Sequence, residues 1–593
     1  MSSRFSVGID LGTTNSAVAY ADHADGTVIP FAPPQVVNPG TIEARPLLPS
    51  FLYLAAAGEL PAHALDVPWD KKERDYAAGE FAHKRGLEVP GRLVASAKSW
   101  LSYAGAERTA AILPWGAGDD VQKLSPLDVS ALYLAHLRDA WNHTVAQGDK
   151  ALRLERQDVC LTVPASFDPV ARELTARAAQ QVGLENLTLL EEPQAAVYAW
   201  IEGSGEAWRR AVGAGDVLLV VDVGGGTTDF SLIAARDEGG ELILERVAVG
   251  DHILLGGDNM DLALAWAVRN RLESQGTKLD PWQFRGLAMS CRDVKERMLA
   301  EAAVDRVPVS ILGRGRKVVG GTVRLDVERG EVETSLLEGF FPACERGDRP
   351  QAPRRAGVQE IGLPYAADPA VTRHLAQFLS SQTVNAVPTA VLFNGGVMQA
   401  AALRQRLVDN LNRWIGADGA PSVRVLPPHQ PEFAVARGAA YYGLARRGRG
   451  IRSRGGTARS FYLGIETAMP AVPGMRPPIK ALCVLPKGVE EGAEAVDLPG
   501  KEFGLIVGSP VEFRFLASTV RKDDKVGTVV EDWDDDLQEL PALEATLEQQ
   551  GHEGSTVPVR LQSRVDEVGV LQLWFVSRDG QHRWKLDFST RGE

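Results

Sequence analysis

Long hydrophobic runs are missing from this sequence. No stretch approaches the ~18 apolar residues that a membrane-spanning helix needs, and the opening MSSRFSVGID has no charged segment leading into an apolar core. Neither a span nor a secretory leader is expected, and the expected location is the cytoplasm. Cysteine is nearly as scarce. Cys160, Cys291, Cys344 and Cys483 lie too far apart for a disulfide framework or a zinc site, so reduced thiols are expected. Positive charge is also in deficit: 64 Lys and Arg face 77 Asp and Glu, a formal net charge of -13, which disfavours nucleic acid as a partner of the whole chain. Average composition remains, with 45% hydrophobic and 24% charged residues, as in chains that fold. A length of 593 residues exceeds the roughly 250–300 at which single cores stop growing, so several lobes or domains are expected.

An internal repeat organises the first two thirds. Val7 to Tyr20 reads VGIDLGTTNSAVAY, and Leu218 to Ile233 reads LLVVDVGGGTTDFSLI. Each copy has an aliphatic run ending in an aspartate, a glycine turn with paired threonines, and a second strand-like run, which predicts two matched hairpins in two lobes of similar build. Between them, Val159 to Pro164 and Leu187 to Leu190 read as strands and Val170 to Val182 as a helix. Helices are expected over Met260 to Gln275, Cys291 to Glu301 and Phe433 to Ala445, and strands over Val307 to Leu325 and Ala390 to Phe393. Arg446 to Gly456, with five arginines, four glycines and Ile451 as its one large aliphatic, reads as a linker. Beyond it, short alternating runs predict an all-β region: Phe461 to Ile465, Lys480 to Leu485, Val511 to Leu516, Val557 to Leu561, Val570 to Val576 and Arg583 to Phe588.

The repeated turns carry chemistry suited to a nucleoside triphosphate. Phosphates need backbone N–H donors at close range, hydroxyls, and carboxylates for a hydrated magnesium ion. Gly12, Gly224, Gly225 and Gly226 permit the close turns; Thr13, Thr14, Thr227 and Thr228 offer hydroxyls; Asp10 and Asp222 stand at strand ends where magnesium waters could be held. One glycine triplet would be an ordinary hairpin turn. Two matched turns at equivalent places point to a shared site.

These turns, together with LTVPASFDPVARELTARAA from Leu161, LLEEPQAAVYAW around Glu192, FNGG at Phe393 and PEFAVARGAA from Pro431, resemble the five ATPase motifs of the seventy-kilodalton heat-shock (DnaK-type) chaperones, over nearly all of residues 5–445. The resemblance implies an α/β two-lobed actin/hexokinase-like ATPase with duplicated ribonuclease-H-like lobes at 1–447, an Arg/Gly-rich linker at 448–459, and a β-sandwich substrate-binding-like domain at 460–593. It implies ATP and ADP as nucleotides and magnesium as metal. Carried onto matching positions, Asp10, Glu192 and Asp222 hold the metal mostly through water, and Lys98 orients the attacking water. Thr227 joins Lys98 and the three carboxylates as a catalytic residue, Asn15, Gly395, Gly396 and Lys295 join the nucleotide site, and Pro164 and Arg172 match a switch proline and its relay. A lysine standing alone on a helix is ordinarily a solvated surface group, so the role of Lys98 rests on the resemblance. The implied partners are unfolded or specialised protein clients, with J-domain and nucleotide-exchange co-chaperones, and no membrane.

Departures from the family pattern are specific. Gln399 and Glu296 stand where the family's basic side chains flank the adenine, a change worth ~1 kcal/mol of cation–π attraction. The linker is basic rather than aliphatic and acidic, and reads as a solvated spacer or an anion-binding arm. Tyr462 to Thr467 and the run from Asp566 are similar to the family's peptide-binding sandwich, and with the sequence ending at Glu593 the expectation is a β-domain without a helical lid. The acidic run Glu531 to Glu539 reads as a solvated loop. The leading expectation is a chaperone ATPase; a nucleotide-sensing scaffold with one fixed partner and a small-molecule kinase on the same fold stay open.

Overall fold

The computed structural model describes residues 3–589 with interruptions, the longer ones at 312–322, 353–361, 448–458, 468–477, 490–495 and 547–554, the others of one to four residues. The expected linker therefore lies almost wholly outside the described residues. Two compact units result: Met1–Phe167 with Leu174–Leu242 and Ala248–Arg452, and Asp168–Glu173 with Ile243–Val247 and Ser453–Glu593.

The first unit holds two mixed sheets with the same internal plan. In the first, β1 (Phe5–Leu11) pairs antiparallel with β2 (Asn15–Asp22), which pairs with β3 (Val28–Phe31). A short helix, α1 (Ala97–Ser102), and two parallel strands, β4 (Asp158–Val163) and β5 (Leu187–Glu191), follow, giving the order β5–β4–β1–β2–β3. Helix α2 (Glu192–Ser204) starts directly at the end of β5. In the second sheet, β6 (Val217–Val223) pairs antiparallel with β7 (Thr228–Glu238). After helices α3 (Gly257–Ser274) and α4 (Pro281–Ala300), strands β8 (Ala390–Asn394) and β9 (Arg424–Leu426) join it in parallel. The central strands β1 and β6 are buried at nearly every position, because both faces are covered, as in parallel-rich sheets.

Helix α5 (Ala434–Arg446) covers the first sheet, and its small residues set how near it comes. Ala436 and Ala440 pack with Ala17, Ala19 and Ala21 of β2, while Val435 and Ala439 pack with Cys160, Ala195 and Tyr198. Its neighbour α2 is so close that a Cβ on Gly438 would stand 1.7 Å from the Ala195 carbonyl oxygen.

The second unit is built from strand alternation rather than helical periodicity. β10 (Ser460–Glu466), β11 (Ile479–Leu485) and β12 (Phe515–Ser518) belong to one five-stranded antiparallel sheet; Phe503–Val507, β13 (Ser555–Val565), β14 (Val570–Ser577) and β15 (Arg583–Ser589) belong to another. Their inward residues, among them Phe461, Leu482, Val484, Phe515, Leu561, Leu573 and Phe575, share one apolar core.

Several elements differ from expectation. Val511 to Leu516 is two strands, Pro510–Phe513 and β12, broken at Arg514, whose carbonyl accepts from the Gly464 amide. The helix expected from Cys291 begins a decade earlier, at Pro281, behind a capping box of Asp280 and Gln283. Of the acidic run at Glu531 to Glu539, residues 532–535 are outside the described residues, and Gln538–Glu539 is a short strand edge. All four cysteines are buried free thiols; burial pushes Cys160, Cys291 and Cys483 up to about 12, far from a reactive thiolate. No helix among the described residues is long and apolar enough to cross a membrane.

The α5–α2 approach yields a test with opposed signs. Helix propensity alone makes Gly438→Ala stabilising by about 1 kcal/mol, whereas the overlap with Ala195 makes it destabilising by about 1–3 kcal/mol. Thermal unfolding is expected to show the loss, and a gain would contradict the packing described.

Candidate functional site

The two sheets place their matched aspartates at the same topological point. Asp10 lies opposite Ala17 at the end of the β1–β2 pair, and Asp222 lies opposite Asp229 at the end of the β6–β7 pair, beside Asn394 of β8. Period-two strands fix this: each aspartate is the residue before the last of its strand, on the opposite face from the core residues Leu11 and Val223 that end the strands.

The turns themselves converge. A Cβ on Gly225 would stand 1.6 Å from Thr14 Oγ1, and one on Gly226 would stand 2.6 Å from Thr13 Cγ2, so glycine at 225 and 226 is what lets the second turn meet the first. Their carbonyls are tied back into the protein. The Ser50 hydroxyl donates to the Gly12 carbonyl at 2.7 Å and the Ser50 amide to Thr14 at 2.8 Å; the Gly257 amide donates to Gly224 at 3.0 Å and the Asp258 amide to Gly225 at 2.7 Å. Among the described residues no backbone carbonyl accepts from the amides of Gly12, Thr13, Thr14, Gly225, Gly226 or Thr227. Carbonyls tied and amides left over make a nest for an anion. The Thr14 hydroxyl is buried among the described residues without a hydrogen-bond partner. A buried orphan of this kind calls for a ligand.

Carboxylates and one lysine surround the nest. Lys98 Nζ is 2.5 Å from Glu192 Oε1, and the side chains are only 12% and 13% exposed, so Lys98 is a buried cleft group and not a surface lysine. Thr162 Oγ1 donates to Asp10 at 3.3 Å, and Asn394 donates to Asp222 at 2.6 Å. Burial, then the charge of Glu192, pushes the Asp10 carboxyl up to about 7 against the opposing pull of Lys98. Burial and Glu192 likewise push Asp222 up to about 8, with Asn394 opposing and Asp229 and Asp10 adding to the rise. Lys98 is raised: burial disfavours its charge, but Glu192 and Asp10 outweigh it. The site is short of positive charge. Among the described residues no three His, Cys, Asp or Glu side chains are grouped closely enough to hold a metal directly. The donor set suits a polyphosphate with a hydrated cation, amides and Thr14 facing phosphate, Asp10, Glu192 and Asp222 facing the cation's waters.

Other expected site residues fall differently. Asn15 is exposed at the start of β2. Thr227 sits in the turn, where its carbonyl accepts from the Gly224 amide, but Thr228 is wholly buried and donates its hydroxyl to the Leu255 carbonyl at 2.7 Å. The expectation that Thr228 offers a hydroxyl to phosphate is thereby corrected: successive strand residues point to opposite sides, and this one points inward. Lys295 is 5% exposed, 2.6 Å from Asp261 and 3.0 Å from the Gly257 carbonyl, in a buried ion network with Arg292 and Asp258 that locks α4 to α3. Gly395 takes φ 85° beneath the Val223 carbonyl, and Gly396 beside it is open. Gln399 is exposed; burial pushes the Glu296 carboxyl up, with Lys295 opposing. Pro164 is buried just after β4, and Arg172 is 1% exposed. Ser50, Thr162, Asn394, Gly256 and Gly257 were not singled out from the sequence; the Gly256-Gly257 pair ahead of an amphipathic helix was the one available signal.

The raised carboxyls have a consequence for stability. A carboxyl whose folded pKa lies above its unfolded value stabilises the fold at low pH and loses that contribution as pH rises through the folded pKa. For Asp222 the window runs from 3.8 to about 8. Without nucleotide or metal, the stability advantage of Asp222→Asn over the unsubstituted chain is expected to grow by on the order of 1–3 kcal/mol between about pH 5.5 and 8.5, read by denaturant unfolding. A difference that does not change with pH would contradict the assignment.

Comparison with known proteins adds to this geometry. A family model described as Hsp70 protein matches residues 104–339. The protein described as "Chaperone protein HscA homolog" of Paracidovorax citrulli (strain AAC00-1) is 30% identical over 424 residues, covering 68% of this chain and 58% of that protein. The homolog of the same description from Acidithiobacillus ferrooxidans (strain ATCC 53993 / BNL-5-31) is 29% identical over 464 residues, covering 73% and 65%. The chain thus spans less than two thirds of the length of these curated relatives. With its repeated acidic turns and these relatives, the chain is a divergent Hsp70-type protein.

Proposed function

We propose that the first unit is a two-lobed actin/hexokinase-like ATPase and that the chain acts as a DnaK-like chaperone, coupling hydrolysis of ATP to engagement of protein segments by the C-terminal β-sandwich. The observation that carries this reading is the convergence of the two glycine turns on a buried, unpartnered Thr14 hydroxyl, ringed by Asp10, Asp222, Glu192 and Lys98. In this reading residues 1–447 bind nucleotide, 448–459 connect, and 460–593 bind the client, in the cytoplasm, with J-domain and exchange partners.

The amides of Gly225 to Thr227 and of Gly12 to Thr14 hold the β- and γ-phosphates, which costs little reorganisation because their carbonyls are already fixed. Magnesium, when bound, supplies charge neutralisation on the phosphate oxygens. Asp10, Glu192 and Asp222 orient the waters of its shell. Lys98, held by Glu192, would orient the attacking water and offset charge on the transferring oxygens. Positioning and electrostatics carry most of phosphoryl transfer, and both are what this arrangement offers.

Lys98→Ala is expected to lower single-turnover ATP hydrolysis by ~10²-fold or more while leaving nucleotide affinity within about tenfold, as for a group acting mainly in the transition state. The same assay run with and without an unfolded peptide distinguishes the functions. Turnover stimulated by peptide supports the chaperone; ATP binding indifferent to peptide gives a sensor, and turnover that requires a small acceptor gives a kinase.

A further inference from the structure

Lys98 sits on a helix too short to hold it. Helix α1 spans six residues, and its N-cap, Ser96, adopts φ 55° and makes no side-chain cap. A single helical turn is marginal without outside support. Two neighbours give Lys98 that support. One is Ser102, one turn along the same face. The other is Phe167, whose ring centroid is 5.9 Å from the Lys98 ammonium. Both lead to one imidazole: His252 Nε2 is 3.4 Å from Ser102 Oγ, and the His252 ring meets Phe167 edge-on at 5.5 Å. On its other side, His252 Nδ1 is 2.9 Å from Ser166 Oγ and 3.3 Å from Asp229 Oδ1.

We propose that His252 is a positioning residue for Lys98, a strut that fixes α1 and Phe167 of the first sheet's half to the nucleotide turn of the second. The inference rests on the ATPase reading above. The loop bearing His252 is fastened to that turn: Thr228 exchanges backbone hydrogen bonds with Ile253 at 2.9 and 3.4 Å, and the Thr228 hydroxyl donates to Leu255. Thr228, misread from the sequence as a phosphate ligand, thereby belongs to the strut. Ser166 and Phe167 follow β4, and Asp229 lies on β7, so one side chain joins segments that the two sheets contribute separately.

Both ring nitrogens are engaged. The Ser166 hydroxyl donates to Asp229, and the Ser102 hydroxyl donates to the Ser99 carbonyl at 2.9 Å. Nδ1 faces Ser166 and Asp229, whose side chain is 11% exposed, and Nε2 faces Ser102, so the ring bridges the two sides. Asp229 is held below the ordinary carboxylate range, because His252 and the Ser166 hydrogen bond outweigh the burial that opposes them. The trio is not a hydrolytic triad. The imidazole faces Ser166 and Asp229 through the same nitrogen, and the serine proton already belongs to the carboxylate, so no relay to a nucleophile exists.

The test uses the full chain, with single-turnover hydrolysis and MgATP affinity measured side by side. His252→Leu is expected to lower the hydrolysis rate about tenfold with affinity within about threefold. Ser102→Ala and His252→Asn, which keeps a donor near the Nδ1 position, are each expected to lower it about threefold, and they carry the test if the leucine variant does not fold. In a Lys98→Ala background, His252→Leu is expected to add no further loss, because both changes remove one function. Losses that multiply, or a fall in affinity equal to the fall in rate, would make His252 a merely structural residue and overturn the inference. A chain in which Lys98→Ala alone changes nothing would instead remove the ATPase reading, and this inference with it.

Discussion

Three half-buried carboxylates around a single lysine leave the centre of this protein electrostatically incomplete. Asp10, Asp222 and Glu192 come from three different strand ends and helix starts, and among the described residues Lys98 alone stands with them carrying the opposite sign. Isolated buried charge is costly enough that groups shift their pKa rather than ionise. Asp10 and Asp222 do so here. Their raised pKa values express a demand for cationic charge, and the rest of the first unit makes sense as the framework that maintains that demand.

The framework is a duplicated one. In each half a central apolar strand ends in an aspartate, turns through glycine and threonine, and returns antiparallel, while parallel strands flank it on the other side. Burying these strands on both faces fixes their register, because a one-residue slip would turn every core side chain outward. Register in turn fixes where each aspartate points. The glycines at 225 and 226 let the two turns meet, and the ties from Ser50, Gly257 and Asp258 hold the carbonyls away so that amides face the cleft. Packing energy far from the cleft, such as the close α5–α2 approach at Gly438, is spent on holding charged groups where they would not otherwise stay.

Much of this was legible in the sequence for a definite reason. The hairpins announce themselves by alternation and glycine, and Asp10 and Asp222 by standing at equivalent places in two copies. Lys98 was legible only by resemblance, since nothing in the spacing of a lone helical lysine separates a buried cation from a surface one. Thr228 was misread because paired threonines look alike in a string, although the pleat sends neighbours to opposite sides. His252, Ser166, Ser102 and Asp229 were not legible at all. They arrive from four segments, each contributing one common polar residue, and only the fold brings them within hydrogen-bond distance. The first half of α4 was missed since its periodicity is weak, though Asp280, Pro281 and Gln283 spell a helix start. The Hsp70-type relationship and the geometry meet at the two glycine turns. They diverge where the resemblance implies an adenine site, since Gln399 is exposed and Lys295 is paired with Asp261.

The proposed binding of a cation among these carboxylates is tested most directly by proton release. Titration calorimetry of preformed MgATP into the chain at about pH 7, repeated in buffers of different ionisation enthalpy, reads the protons exchanged on binding. Asp10 and Asp222, part protonated when free, are expected to ionise as the cation arrives, releasing on the order of one proton per site. Binding that releases no proton, or that proceeds equally well with ATP and a chelator, would contradict it.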